Sequence, residues 1–342
     1  MLAVVSAGLL AAACGSAGGT GSARSQFSAP ADSPSASPAA SPAPAVSQPS
    51  APLTGLPVST AIASRPAVAL VVAGRHPLGL SLADVVFEEI STPRRYIAVF
   101  QSRQASPVGP ITGTRPADGQ ILSVLRPLTG YDGGTTSFIS VLDHTKITDL
   151  SYPAHGSLYH AGSRGVTAST AKFADAVRGS QPPELFSYRG AESGSDQLAS
   201  SGEQRTSSVT VAIPGHGRQK WAFDAHTDRW AAISGSPSVQ VANLIIQVVH
   251  YKTVFLSRKL GQTVPTARAV GRGTAEVFSG LADTPDQGQG GLSAAGTWSK
   301  PGLPDVTEYV DRTGFPMELQ PGPTWVILAP YGTRVETVQA QP

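Results

Sequence analysis

Val85-Val-Phe-Glu-Glu-Ile90 and Tyr96-Ile-Ala-Val-Phe100 are two short, largely apolar runs separated by a turn that contains Pro93. Runs of this length, rich in β-branched and aromatic residues and bounded by turn formers, read as strands. Upstream, Ala67-Val-Ala-Leu-Val-Val72 has the same character and reads as a buried strand. Ser81 can cap a single helical turn through Asp84, and Ala117 to Arg126 places Ile121, Leu122 and Leu125 at helical spacing before Pro127 stops it. Ser137-Phe-Ile-Ser-Val-Leu142 reads as a fourth strand. Thr167 to Arg178 reads as a second amphipathic helix, ended by Gly179. Strands alternating with helices predict an α/β (or α+β) N-terminal domain over residues 53–200.

Beyond the polar stretch from Arg189 to Thr206, which reads as a hinge, the pattern changes. Val209–Ile213, Trp221–Phe223, Trp230–Ile233, Leu244–Val249, Thr266–Val270, Ala275–Phe278, Gly296–Trp298, Val306–Val310 and Trp325–Leu328 are short β-type runs with no helix between them. Asp224-Ala-His-Thr-Asp228 and Asp311-Arg-Thr-Gly314 read as hairpin-like loops. Residues 207–331 are therefore predicted to form a mainly antiparallel β C-terminal domain, with 332–342 as a tail. Trp298 and Trp325 are expected in the core. For Trp221 and Trp230, which flank the same hairpin, core packing and an exposed stacking surface both stay open.

The N-terminus has a different logic. Cys14 is the single cysteine of the chain and directly follows an apolar run ending Leu10-Ala11-Ala12-Ala13. Residues 1–14 read as a lipoprotein signal peptide and lipobox, with Cys14 as the lipid-attachment residue. No Lys or Arg precedes the run, which leads us to expect a true start upstream of Met1. Residues 15–52, mostly Ser, Ala, Pro and Gly, are too polar to offset ordering entropy and read as a disordered tether. The expected location is the outer face of the cytoplasmic membrane of a Gram-positive bacterium. A net charge of +2 with 14% charged residues offers no basic stripe, so nucleic acid is not an expected partner.

Few residues are arranged for chemistry. Glu88 and Glu89 end a strand, Arg115 follows a Gly/Pro turn, and Asp132-Gly133-Gly134-Thr135 precedes the next predicted strand. Loops at strand ends collect ligands in α/β sheets, so Glu88, Arg115, Asp132, Gly133, Gly134, Thr135 and His155 form the candidate ligand-binding set. In this reading Arg115 clamps an anionic or amide group and Glu88 accepts a hydrogen bond or acts as a base. The competing reading is a Glu88–Arg115 ion pair that merely holds a sheet edge to a loop, beside a Gly-Gly turn. His144, His155 and His160 lack metal-ligand spacing and read as exposed loop imidazoles, so neither a metal nor another cofactor is expected. Glu192-Ser193-Gly194-Ser195 lies in the hinge, not in a nucleophile-elbow setting.

The order of several segments resembles the YerB-like bacterial lipoprotein family, a two-part domain of unknown function. The resemblance rests on Pro52–Pro57, Leu82–Glu88, Arg95–Ser102, Gly109-Pro110 through Arg115-Pro116, Gly133-Gly134, Asn243–Gln247, Gly296–Trp298 and Leu319–Trp325. It departs from the family at Thr112, where a second arginine is usual, and at Ser163–Thr167, where a Pro-His-Asn-Leu-aromatic run is usual. The resemblance implies an extracytoplasmic, membrane-anchored protein with separate N- and C-terminal domains and brings no settled activity. The favoured expectation is a non-enzymatic binding protein that meets a cell-wall component or envelope protein. A cell-wall-acting hydrolase or transferase using Glu88, Arg115 and Thr135, and a solute-binding lipoprotein, are the alternatives.

Overall fold

The computed structural model describes residues 48–190, 204–281 and 290–340; Cys14, residues 15–47 of the tether and Glu192–Ser195 of the hinge lie outside them. The N-terminal part contains β1 (Val68–Ala73), β2 (Val85–Glu89), β3 (Arg95–Phe100), β4 (Leu128–Gly130) and β5 (Thr148–Asp149). A small ribbon of β6 (Tyr159–Gly162) and β7 (Gly165–Ala168) follows. Short helices intervene: α1 (Thr60–Ala63), α2 (Pro116–Leu122), α3 (Thr136–Asp143) and α4 (Thr170–Ala176).

From Gln204 onward the described chain is β-structure. It comprises β8 (Gln204–Ile213), β9 (Gly217–Asp224), β10 (Arg229–Ser234), β11 (Gln240–Val241), β12 (Asn243–Val249), β13 (Tyr251–Ser257) and β14 (Gln262–Ala267). It continues with β15 (Gly271–Ser279), β16 (Gly291–Lys300), β17 (Glu308–Asp311), β18 (Thr324–Pro330) and β19 (Arg334–Gln339). The N-terminal region is thus mixed α/β, and the C-terminal region is mostly antiparallel β, as the sequence pattern predicts.

The two regions share one sheet. Its order is β11-β10-β9-β8-β16-β15-β12-β18-β2-β3-β1-β4-β5, with β17 added on β16 and β19 on β8. The join is made by β18, which lies parallel to β12 on one side and parallel to β2 on the other, with Trp325 opposite Val86 and Ile327 opposite Glu88. β1 pairs antiparallel with β3 and parallel with β4. The β13–β14 ribbon forms a sheet of its own and leaves Phe255, Leu256 and Leu260 exposed.

The central strands are buried on both faces, and alternation sorts their side chains. Val86, Tyr96, Ala98, Leu244, Ile246, Trp325 and Ile327 join a cluster covered by Trp221, Trp230 and Phe173. Val85, Ile97, Val99, Ile245, Val326 and Leu328 join the opposite cluster, covered by Ala117, Ile121 and Leu122 of α2 and by Leu185, Phe186 and Trp298. All four tryptophans are therefore core residues, which decides the open question for Trp221 and Trp230. Truncating one to Ala would cost about 3–5 kcal/mol.

Several local expectations are corrected. Ser137–Leu142 lies within a helix rather than a strand: Phe138 and Leu142, four apart, are its buried face, and Thr135 stands in extended conformation at its N-cap. Aromatic and β-branched content misled there, because only the i, i+4 pair meets the core. The helix expected over 117–126 stops at Leu122, and Arg126 has φ 49°. The helix expected from Thr167 begins at Thr170, because Gly165–Ala168 is drawn into the β6–β7 ribbon. The folded body already includes Ser50, which bridges Pro57, and the fully buried Ala51. The expected tail contributes β19, whose residues Arg334–Gln339 pair with β8.

Candidate functional site

Glu88 and Glu89 are neighbours on one strand, so their side chains point to opposite faces. This alternation organises the polar interior. Glu88, 0% exposed, lies on the face shared with Trp325. It accepts hydrogen bonds from Trp325 Nε1 at 2.9 Å and Gln219 Nε2 at 2.6 Å, and forms an ion pair with Arg94. Burial pushes its carboxyl above the usual range, against the Arg94 charge and the Trp325 donor.

Glu89 lies on the α2 face. Its carboxylate takes Arg95 Nη1 at 3.0 Å, Arg115 Nη1 at 3.3 Å and the Ala267 backbone N–H at 2.9 Å. Arg95, itself 1% exposed, also pairs with Asp118 and donates to Gly113 O at 3.0 Å. Burial works against the Arg95 charge, yet Asp118 and then Glu89 outweigh it and hold the guanidinium above its ordinary value. Asp118 also takes the Thr114 hydroxyl at 2.9 Å and the Arg115 N–H at 3.0 Å, which closes the first turn of α2.

Arg115 therefore meets Glu89 and Pro265 O, and Glu88 meets Arg94. The Glu88–Arg115 pair of the sequence reading does not form. Carboxylate–arginine pairs do bind the sheet to the turn before α2, but through Glu89, and from an interior strand rather than a sheet edge. Alternation along β2 was the signal that could have made this distinction.

The rest of the candidate set lies on loops. Asp132 N–H donates to Thr112 O and Thr114 N–H to Gly133 O, both at 2.9 Å, so the Asp132–Thr135 loop supports the turn that presents Gly113 O to Arg95. Gly133 has φ +65°, a conformation that favours glycine, and Pro153 closes over it. Asp132, Gly134 and His155 are exposed, and His155 heads a single 3-10 turn with its N–H on Ser151 O. His144 and His160 are exposed as well, and among the described residues no group of three His, Cys, Asp or Glu could hold a metal ion.

A cavity of about 650 Å³ opens elsewhere, between the two regions. Leu56 and Pro57 of the lead-in segment, Asp84 and Arg103 form one side; Arg229 and Gln240 stand on the other. Asp84 is fully buried and its oxygens are occupied by Gln101 N–H at 2.6 Å, Ser102 N–H at 2.7 Å and the Ser102 hydroxyl. Burial raises its carboxyl above the ordinary value, against those donors. Sequence reading missed this cavity because its residues come from segments more than a hundred positions apart.

Residues 53–178 match the family described as "Protein of unknown function (DUF3048) N-terminal domain", and residues 209–326 match the DUF3048 C-terminal domain. The crystal structure of the YerB protein from Bacillus subtilis is similar in fold, with a TM-score of 0.66 at 18% identity; the match covers 84% of this chain and 100% of that one. Among curated proteins none matches.

Proposed function

This chain belongs to the DUF3048 family of two-part proteins of unknown function, and from that premise we propose that it is a lipid-anchored, non-enzymatic binding protein of the bacterial cell envelope. The observation that carries the binding role is the open cavity at the junction of the two regions, walled in part by the lead-in segment just after the tether. Concave sites of several hundred Å³ at such junctions are the usual seat of small ligands. The envelope location is supported by the apolar run before Cys14 and the Ser/Ala/Pro-rich stretch after it.

A hydrolase built on Glu88 is disfavoured by geometry. A carboxylate with 0% exposure, held by Arg94, Gln219 and Trp325, offers no oxygen to a wall polymer or to an attacking water.

Two measurements test the proposal. Cell fractionation should find the protein in the membrane pellet and release it when Cys14 is changed to Ala; wild type in the soluble fraction would overturn the anchor. Hydrogen exchange of the full chain with detergent-solubilised envelope extract should slow at residues 54–58, 229–232 and 238–240. Unchanged exchange at all three segments would overturn the binding role.

A further inference from the structure

Most arginines in the interior are matched by carboxylates, and Arg229 is not. It is half-buried, and among the described residues its side chain has no hydrogen-bond or ion-pair partner. Its nearest acid in sequence, Asp228, is engaged with other donors: Oδ1 accepts the Leu281 N–H at 2.9 Å and Oδ2 accepts Gln320 Nε2. The guanidinium lies beside Gly322, where a Cβ would come within 3.4 Å of Nη1.

A second cation, Arg103, enters the same cavity from the N-terminal region. It is exposed and makes only a long contact of 3.5 Å to Ala83 O. Burial first, and the Arg103 charge next, press the Arg229 guanidinium below its ordinary value, with Asp228 opposing. The one carboxylate in the lining, Asp84, is committed to backbone donors and to Ser102. Two like charges thus enter one cavity, and among the described residues neither forms an ion pair: Asp84 and Asp228 act on them only through space, an arrangement that an added anion would stabilise.

We propose that this cavity binds an oxyanion, a phosphate or carboxylate group clamped between Arg103 and Arg229, with Ser238 and Gln240 as neutral donors on the same wall. Guanidinium groups suit such ligands because their donors match paired oxygens in one plane. The inference rests on the envelope-binding reading above and names its ligand class. A free anion and a lipid headgroup share this chemistry.

Calorimetric titration of the full chain with inorganic phosphate, citrate and monomeric dihexanoyl phosphatidylglycerol tests it. At least one probe should bind with an affinity that falls as salt rises. Arg103→Gln and Arg229→Gln should each raise its Kd about ten-fold, and Arg218→Gln, an exposed residue paired with Glu336, should leave it unchanged. Tighter binding of the phosphatidylglycerol than of phosphate and citrate points to a headgroup; the reverse points to a soluble anion. No binding by any probe, or binding indifferent to both cavity variants, overturns the inference. Exchange protection by envelope extract separates the two claims. Protection that survives in the Arg103→Gln/Arg229→Gln double variant removes the anion and keeps the binding role, and absent protection in wild type removes both. Thermal melts confirm that the variants fold.

Discussion

Two arginine-rich places in this molecule, the interior around β2 and the cavity between Arg103 and Arg229, use the same side chain for opposite ends. Around β2, Arg95 and Arg115 reach Glu89, Asp118 and backbone carbonyls, and the carboxylates Glu88, Glu89 and Asp118 are all at most 1% exposed. In the cavity, the half-buried Arg229 side chain has no partner among the described residues, and Arg103 stands exposed. A buried charge that is fully matched belongs to the fold and resists change. One left unmatched at a concave surface is available to something outside the chain. Charge content alone does not separate these cases; the completeness of the hydrogen-bond shell does.

The comparison can be broken most forcefully at Asp118. Asp118→Ala leaves Arg95 buried with one of its two carboxylate partners gone, and we expect a loss of about 3–5 kcal/mol in urea unfolding. A loss under about 1 kcal/mol would mean that water reaches the network and that its internal character has been overstated.

Glu88 offers a test through pH. Burial raises its folded-state pKa above the unfolded value of about 4.5, so the folded protein holds this proton more tightly. Its contribution to stability is then fully present below about pH 4.5 and declines as the pH rises through the folded value. Glu88→Gln should remove that decline, visible as a flatter melting-temperature profile above about pH 4.5. An unchanged profile would show that Arg94 and Trp325 cancel the burial effect.

Lys300 sharpens the comparison with a cation of the opposite kind. It is 2% exposed, among Phe87, Phe186 and Tyr309, and burial lowers its amine to about 8. The unfolded chain therefore binds the proton more tightly, and stability should rise with pH between about 8 and 10.5. Lys300→Met should abolish the rise; a rise retained in the variant would assign it to another group.

Smaller effects are expected where charge is not part of the fold. Arg229→Gln should leave stability unchanged or raise it by up to about 1 kcal/mol, because a half-buried cation with no ion pair among the described residues is removed. A clear loss would reveal a partner within the fold. Arg218→Gln breaks a pair whose side chains are 63% and 53% exposed and should cost no more than about 0.5 kcal/mol.

The legibility of this molecule follows the range of the interactions. Residues 85–90 and 96–100 read as strands because burial on both faces leaves a short, continuous apolar run between turn formers, and the helix-free C-terminal region read as β from its succession of short β-type runs. Ser137–Leu142 did not, since its only core contacts, Phe138 and Leu142, are too few to impose a visible helical period on an otherwise strand-like composition. Glu88, Glu89 and Arg115 were visible as a charged group, but their partners were misassigned. Glu88 finds Gln219 and Trp325, more than a hundred residues away, and no local pattern records that.

Local pattern sufficed for the strand character of residues 67–72, 85–90 and 96–100, for the change from α/β to antiparallel β, and for the family. Each depends on hydropathy period and on motif order, which neighbouring residues encode. Tertiary structure alone decided that β18 inserts beside β2 to join the two regions, and that Glu89 rather than Glu88 takes Arg115. It alone also decided that Arg103 and Arg229 face one cavity. These outcomes depend on strand order and on which face of a strand meets which neighbour, and pairing over long separations fixes both.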